Sequence, residues 1–190
     1  MEQRPEALEQ TNSRWKNLFD WAEELVFAVV IIALVFTFVC RIITVDGTSM
    51  QPNYNHGDRV LVTGTAFGIE QGDVVVVTNV LEEPIIKRVI ATEGQTVDID
   101  RETKTVYVDG EAVDETAFGL SNHITDLPYA SFEVLEFPQT VPEGCVFVLG
   151  DNRSVSEDSR YQRVGMIDRR NILGKAVLRL FPLNRIGLAN

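Results

Sequence analysis

The chain has 190 residues, of which 45% are hydrophobic and 24% are charged, enough for one sizeable domain with an accessory segment. Its 17 lysines and arginines face 28 aspartates and glutamates, so the net charge is -11. This acidic balance argues against a phosphate-binding surface, and we predict no nucleic-acid partner. Cys40 and Cys145 lie far apart in segments of different character, so we predict no disulfide between them and no metal site.

The first element along the chain is an uncharged apolar run over residues 25–40, LVFAVVIIALVFTFVC. As a helix this run would span about 24 Å, short of the roughly 30 Å hydrocarbon core of a bilayer. Residues 42–45 continue the run beyond Arg41, whose side chain can reach the headgroups from a helix end. We therefore predict a cytoplasmic segment over residues 1–20 and a transmembrane anchor helix over 21–45. The alternative is a buried core helix, which is hard to accommodate in so small a domain.

The anchor is expected to remain attached to the chain. Val39, Cys40 and Arg41 at its end do not form the small-x-small pattern of a signal-peptide cleavage site. More basic residues precede the run than immediately follow it, which favours an N-terminus inside the cell.

From residue 46 onward the pattern changes to short β-type runs separated by glycine turns. Asp109-Gly110 is typical of a tight hairpin turn, whereas residues 115–140 lack a strong period and are predicted to be a loop-rich insertion. We predict a mainly β fold, with an antiparallel β-sheet domain over residues 46–190. The predicted strands lie within 58–64, 73–80, 85–92, 95–100, 104–110, 145–151 and 175–181.

Two side chains in this domain are candidates for chemistry. Ser49 lies between Gly47 and Pro52 in GTSMQPN, where a sharp turn can present its hydroxyl, although most serines in turns have no catalytic role. Lys87 lies on a predicted strand face between the apolar residues Ile85 and Val89. Such a lysine either extends to solvent at a sheet edge or is buried. Burial would lower its pKa and yield a neutral amine able to take a proton from a serine.

A third segment, GDNRSVSEDSR over residues 150–160, concentrates charges around three serines. It is either a solvated loop with compensating charges or a framework that positions a hydroxyl against the lysine. The two histidines, His56 and His123, have no accompanying nucleophile-elbow pattern, and no metal or nucleotide motif is present.

Together, these segments resemble bacterial signal peptidase I, also called leader peptidase, in its single-anchor form common in Gram-positive bacteria. The resemblance covers most of residues 25–181 and rests on segments that occur in the family's order behind one N-terminal anchor. They are GTSMQP, GDRVLV, GDVVVV, KRVIATEG, GDNRSVSEDSR and NILGKAVLRLFP. The resemblance implies a signal peptidase/LexA-like fold and a membrane-anchored serine endopeptidase that needs no cofactor.

The resemblance also implies roles for individual residues. Ser49 is the implied nucleophile and Lys87 the implied base, with Ser156 bonded to the lysine amine. Asp158 and Arg160 correspond to an ion pair beneath the site.

The resemblance also implies a second ion pair and a binding site for the oxyanion of the reaction. Asp151 is expected to pair with Arg88. The backbone N–H of Ser49 would hold the oxyanion beside Gly47, which offers no side-chain donor where some relatives carry a serine. Five apolar residues are our candidates for shallow substrate pockets: Ile43, Val45, Met50, Ile85 and Ile86.

The resemblance implies, as partners, the signal peptides of secreted preproteins at the translocon exit and the lipid bilayer. Cleavage would follow a small-x-small pattern such as Ala-x-Ala. The implied location is the bacterial cytoplasmic membrane, crossed once, with the N-terminus inside and the catalytic domain outside.

Three alternatives stay open. A self-cleaving repressor of the LexA type shares the Ser/Lys chemistry but would need a DNA-binding module. A membrane-anchored binding domain of the same fold without activity would commonly lack Ser49 or Lys87. An enzyme with histidine as its base would not need the lysine of KRVIATEG.

Overall fold

The computed structural model describes residues 19–34, 40–64, 68–127 and 133–189. The chain divides into two compact units, Met1–Cys40 and Arg41–Asn190. In the first unit, residues 19–34 are helical, and large apolar side chains such as Phe27 are exposed. Among the described residues, the helix is too short or too polar by the usual criteria for a membrane span. The predicted cytoplasmic segment up to residue 18 and the anchor residues 35–39 lie outside the described part.

The end of the predicted anchor differs from the structure. Residues Cys40–Thr44 form strand β1 instead of continuing a helix to residue 45. The β-branched residues Ile42, Ile43 and Thr44 favour this extended conformation, and pairing with a neighbouring strand satisfies backbone groups. The continuation of apolar character beyond Arg41 therefore reflects a β-strand.

The second unit is built mainly from antiparallel strands, which confirms the predicted mainly β domain. After β1 these strands are β2 (Arg59–Thr63), β3 (Val74–Val77), β4 (Ile85–Thr92), β5 (Thr96–Asp100), β6 (Thr105–Val108), β7 (Glu111–Ala112), β8 (Gln139–Thr140), β9 (Cys145–Leu149), β10 (Ile167–Asp168), β11 (Ile172–Phe181) and β12 (Gly187–Leu188). An eight-stranded sheet has the order β1-β2-β11-β3-β4-β9-β10, with β12 paired to β11. A four-stranded sheet has the order β7-β6-β5-β8.

Six of the seven predicted runs contain a strand, and the seventh, 175–181, is the later part of β11. The predicted hairpin turn at Asp109-Gly110 is also confirmed, since both residues have positive φ, 54° and 84°. Val108 pairs directly with Glu111 across this two-residue turn, as a tight hairpin requires. The strands β7, β8, β10 and β12 were not predicted, because two-residue strands carry no periodic signal. Strand β1 was not predicted, because its residues were assigned to the end of the anchor helix.

Strand β4 lies inside the larger sheet, between β3 and β9. Its neighbour β3 is four consecutive valines, all buried, so apolar surface covers both faces at this point. Lys87 pairs with Val75, while Arg88 pairs with Val74 and Leu149. The sequence therefore places two cations in the middle of a sheet, where they need specific partners.

The predicted insertion is partly ordered by a short 3-10 helix, Glu115–Phe118. Asp114 caps its start by accepting the Thr116 N–H, and Gly119 ends it with φ 71°. The following chain to residue 127 continues beside the 150–160 segment, and residues 128–132 lie outside the described part.

Candidate active site

The nucleophile candidate Ser49 lies in a turn between β1 and β2. Two backbone hydrogen bonds close this turn, from Gln51 N to Thr48 O at 3.2 Å and from Tyr54 N to Met50 O at 2.8 Å. Met50 and Tyr54 are almost fully buried and fix the turn to the core, while Ser49 itself is half-buried. The hydroxyl is thus held on a rigid turn and remains accessible.

Lys87 contacts this hydroxyl directly. Its Nζ lies 2.9 Å from Ser49 Oγ, and the lysine is only 2% exposed. The alternative of a lysine extending to solvent is therefore excluded. Burial lowers the pKa of Lys87 to about 8, and the nearby positive charge of Arg160 acts in the same direction. The carboxylates of Asp158 and Asp151 partly oppose this shift.

The segment 150–160 is a largely buried framework and not a solvated loop, with only Ser154 and Val155 exposed. Asn152 connects it to the nucleophile turn, because its N–H donates to Ser49 O at 2.9 Å and its Nδ2 donates to Thr48 O at 3.2 Å. Ser159 connects it to β9, with hydrogen bonds of 3.0 Å in both directions to Val148. These contacts place the segment against both catalytic candidates.

Both expected ion pairs are present and fully buried. Arg88 binds both carboxylate oxygens of Asp151, at 2.8 and 2.7 Å. Arg160 binds both oxygens of Asp158, at 2.8 and 2.9 Å. Two-pronged pairing of this kind satisfies buried charges that would otherwise be very costly.

Asp158 also fixes the backbone near Ser49, since its Oδ2 accepts the Gly150 N–H at 3.0 Å. Gly150 is closely enclosed. A Cβ atom at this position would lie 2.6 Å from Ser49 O and would also collide with Ser156 Oγ. Only glycine allows the framework to approach the turn so closely.

Ser156 lies at this contact, but its expected hydrogen bond is not formed. The residue is 2% exposed, and its Oγ has no hydrogen-bond partner among the described residues. Its position beside Gly150 and Ser49 keeps it within the site. The role that the resemblance implies for Ser156 stays a prediction.

Several site residues were missed from the sequence. Asn53 donates through Nδ2 to Asp151 Oδ2 and to Phe118 O, both at 2.8 Å, and Phe118 places its ring 5.0 Å from the Arg88 guanidinium. Arg153 pairs with Glu115 at 2.6 Å. Asn53 and Arg153 stand inside segments that the sequence singles out, so proximity to those motifs was an available signal. Glu115 and Phe118 gave none.

Four of the five apolar candidates meet in one cluster. Val45, Met50 and Ile86 are buried there, with Ile43 partly buried against them. Ile85 packs instead with Val77 and Val89 in a different cluster. Adjacent residues of β4 point to opposite sheet faces, which separates Ile85 from Ile86.

The histidines and Gly47 have other contacts. Gly47 has φ 81°, and its N–H donates to His56 Nδ1 at 3.4 Å. The exposed His56 also lies 3.0 Å from Asp46, and His123 bonds through Nδ1 to Thr105 Oγ1. Each histidine thus has partners other than the Ser49 hydroxyl.

A buried amine of lowered pKa beside a hydroxyl on a rigid turn has the components needed for attack on a carbonyl carbon. Comparison with known proteins identifies the family. The family described as "Signal peptidase, peptidase S26" matches residues 18–181.

Individual relatives match along most of their length. The chain is 34% identical over 180 residues to "Signal peptidase IB" of Staphylococcus aureus (strain Mu50 / ATCC 700699), covering 89% of this chain and 92% of that protein. It is 31% identical over 182 residues to "Signal peptidase I" of Bacillus licheniformis, covering 94% and 96%. A crystal structure of a signal peptidase I from Enterococcus faecalis V583 is 26% identical with a TM-score of 0.43, covering 58% of this chain and 97% of that one. The chain belongs to the signal peptidase family, peptidase S26.

Proposed function

We propose that this protein is a serine endopeptidase that removes N-terminal signal peptides from exported preproteins, with Ser49 as nucleophile and Lys87 as general base. The observation that carries the proposal is the 2.9 Å contact between Lys87 Nζ and Ser49 Oγ, made by a buried lysine. A lysine amine can act as a base only when it is neutral, and burial favours that form.

The proposed reaction is acyl transfer in two stages. Neutral Lys87 takes the proton as Ser49 Oγ attacks the scissile carbonyl, and the tetrahedral intermediate collapses with release of the leaving amine. Protonated Lys87 gives this proton to the leaving amine and becomes neutral again, and an ester joins Ser49 to the signal peptide. Neutral Lys87 then deprotonates a water that hydrolyses this ester. No cofactor takes part in the proposed sequence.

The surrounding residues support the two reacting groups. The Ser49 N–H is the proposed oxyanion donor. Gly47 contributes no side chain to it, and its own N–H is directed toward His56. The Asp151–Arg88 and Asp158–Arg160 pairs hold the framework in place, and Ser156 is the proposed second hydroxyl near the lysine.

For the substrate, we propose an extended segment ending in small-x-small, bound beside the turn. Ile43, Val45, Met50 and Ile86 pack together in one cluster, which supports their assignment to a single shallow apolar pocket. Ile85 has weaker support because it packs in the other cluster. Signal peptides at the translocon exit and the bilayer are the proposed partners. The proposed location is the cytoplasmic membrane, with the β-sheet domain outside.

The test is cleavage of a preprotein with an Ala-x-Ala site by full-length protein in detergent or lipid. Wild type, Ser49→Ala and Lys87→Ala would be compared between about pH 6 and 10, with folding checked by circular dichroism. We expect cleavage by wild type alone, increasing through about pH 8 as Lys87 loses its proton. Normal cleavage by folded Lys87→Ala would assign the base elsewhere. No cleavage by any form would favour a binding domain without activity.

A further inference from the structure

Three buried arginines of the site reach into residues 115–127, the insertion that has no sequence period. The Arg88 guanidinium lies 5.0 Å from the Phe118 ring centre. Arg160 donates through Nη1 to the carbonyl of Asp126 at 2.6 Å. Arg153 binds Glu115 and Thr125 by side-chain hydrogen bonds. The insertion is therefore attached to the site through these three arginines, in addition to the Asn53 hydrogen bond to Phe118 O.

The Arg153 contact differs from the other two buried ion pairs. Arg88 and Arg160 each present two nitrogens to one carboxylate. Arg153 divides its guanidinium: Nη1 binds Glu115 Oε1 at 2.6 Å, and Nε donates to Gly150 O at 3.0 Å. Arg153 Nη2 and Glu115 Oε2 have no hydrogen-bond partner in the described part of the chain. Arg153 thus forms a single hydrogen bond to Glu115 instead of a bidentate ion pair, and its Nε binds the Gly150 carbonyl.

Gly150 is the residue through which this contact reaches the reacting groups. Its carbonyl is held by Arg153 Nε and its N–H by Asp158 Oδ2, both at 3.0 Å. Gly150 lies directly against the Ser49 carbonyl and the Ser156 side chain. These two bonds hold the two consecutive peptide units on either side of the Gly150 Cα atom, and a rotation of either unit would displace the backbone that packs against Ser49.

We propose that Arg153, held by Glu115 and Thr125, is a positioning residue that fixes the Gly150 peptide beneath Ser49, so that the insertion 115–127 is required for turnover. This inference rests on the proposed peptidase function and deepens it. Arg153, Glu115 and Thr125 are 4%, 2% and 0% exposed, so the arrangement is shielded from competing water. Glu115 supplies the negative charge that balances Arg153. The position of Gly150 relative to Glu115 is set because Arg153 donates to both of them.

The decisive variant is Arg153→Lys, which keeps a positive charge for Glu115. A single ammonium group lacks the planar fork that serves Glu115 and the Gly150 carbonyl together. Small misplacement of a catalytic group costs up to roughly a hundredfold in rate, so we expect kcat to fall by at least about tenfold while KM changes by less than about twofold. Cleavage would be measured well below each variant's thermal midpoint.

Glu115→Asp is the second variant and tests the inference independently if Arg153→Lys does not fold. It keeps both charges but shortens the acid by one methylene, which draws Arg153 away from Gly150, and a fall in kcat at constant KM is again expected. Lys104→Gln is the matched control, because the Lys104–Asp126 pair joins the same region at the surface with both side chains about half exposed. Its kcat should equal that of wild type.

The outcomes distinguish the proposed peptidase function from the proposed positioning role of Arg153. If wild type cleaves the preprotein and Ser49→Ala does not, the peptidase function stands independently of Arg153. Unchanged kcat in folded Arg153→Lys or Glu115→Asp would then show that the buried pair serves stability alone and would overturn this inference. If wild type itself fails to cleave, the proposed function fails first.

Discussion

At the residue scale, the state of Lys87 links catalysis to stability. Its pKa is lowered to about 8 in the folded protein against an ordinary value of 10.5. Between these two pH values the unfolded chain binds more protons than the folded one, so stability rises with pH across this window. Below about pH 8 the folded state carries the full cost of a buried charged amine. The same burial that makes the base reactive is therefore destabilising at neutral pH.

Replacing this lysine with an apolar residue of similar length should stabilise the inactive protein. For Lys87→Met we expect a gain of up to about 3 kcal/mol in the free energy of unfolding at pH 7, shrinking toward zero by about pH 10.5. Urea unfolding of both proteins at several pH values measures this difference in the free energy of unfolding. Ser49→Ala, which leaves the amine in place, is the control and should retain the pH-dependence of wild type. A pH-independent gain in Lys87→Met would mean that packing, not proton binding, is responsible.

At the element scale, the site depends on how closely the 150–160 segment approaches the nucleophile turn. Gly150→Ala is expected to lower cleavage by at least about a hundredfold, because the added methyl group collides with backbone that cannot move without displacing Ser49. Gly64→Ala is the control, since a Cβ at Gly64 meets nothing within 4 Å.

Cleavage rates and thermal midpoints of both variants would be measured together. A Gly150→Ala protein with wild-type turnover would show that the turn and the segment can separate without loss of function. Equal loss in Gly64→Ala would point to a general effect of alanine in this domain.

The same scale shows what could be predicted from the sequence. Strands with alternating or continuous apolar character were identified, and Ile85 and Val89, which the alternation in β4 places on one face, do pack in one cluster. The grouping of Ile85 with Ile86 as pocket residues was wrong, because Ile86 packs in the other cluster. The contacts of Arg153 could not be predicted, because its partner Glu115 lies 38 positions away in a segment without period. Hydrogen bonds between distant loops depend on three-dimensional placement that no local pattern encodes.

At the scale of the whole molecule, the division after Cys40 separates the helical unit from the β unit. The apolar run up to residue 39 is the proposed anchor, and the strand at Cys40–Thr44 places the start of the β domain earlier than the sequence suggests. One continuous apolar stretch of sequence thus includes both the proposed anchor and strand β1. Hydropathy alone does not distinguish the end of a helix from an edge strand.

The proposed anchor predicts that the full chain stays with the membrane pellet after alkaline carbonate extraction. An otherwise identical chain beginning at Arg41 should be released to the supernatant, and circular dichroism would establish that it is folded. Release of the full chain by carbonate alone would contradict a spanning helix and indicate peripheral attachment.

The three buried ion pairs of the framework also bear on how the protein responds to heat. Arg88–Asp151, Arg153–Glu115 and Arg160–Asp158 each keep both side chains at 3% exposure or less. The cost of dehydrating such charges decreases on warming, because the hydration of ions has a strongly negative entropy. Apolar stabilisation per unit area levels off over the same range. The contribution of these ion pairs around Ser49 and Lys87 to the free energy of unfolding therefore increases with temperature relative to that of the apolar core.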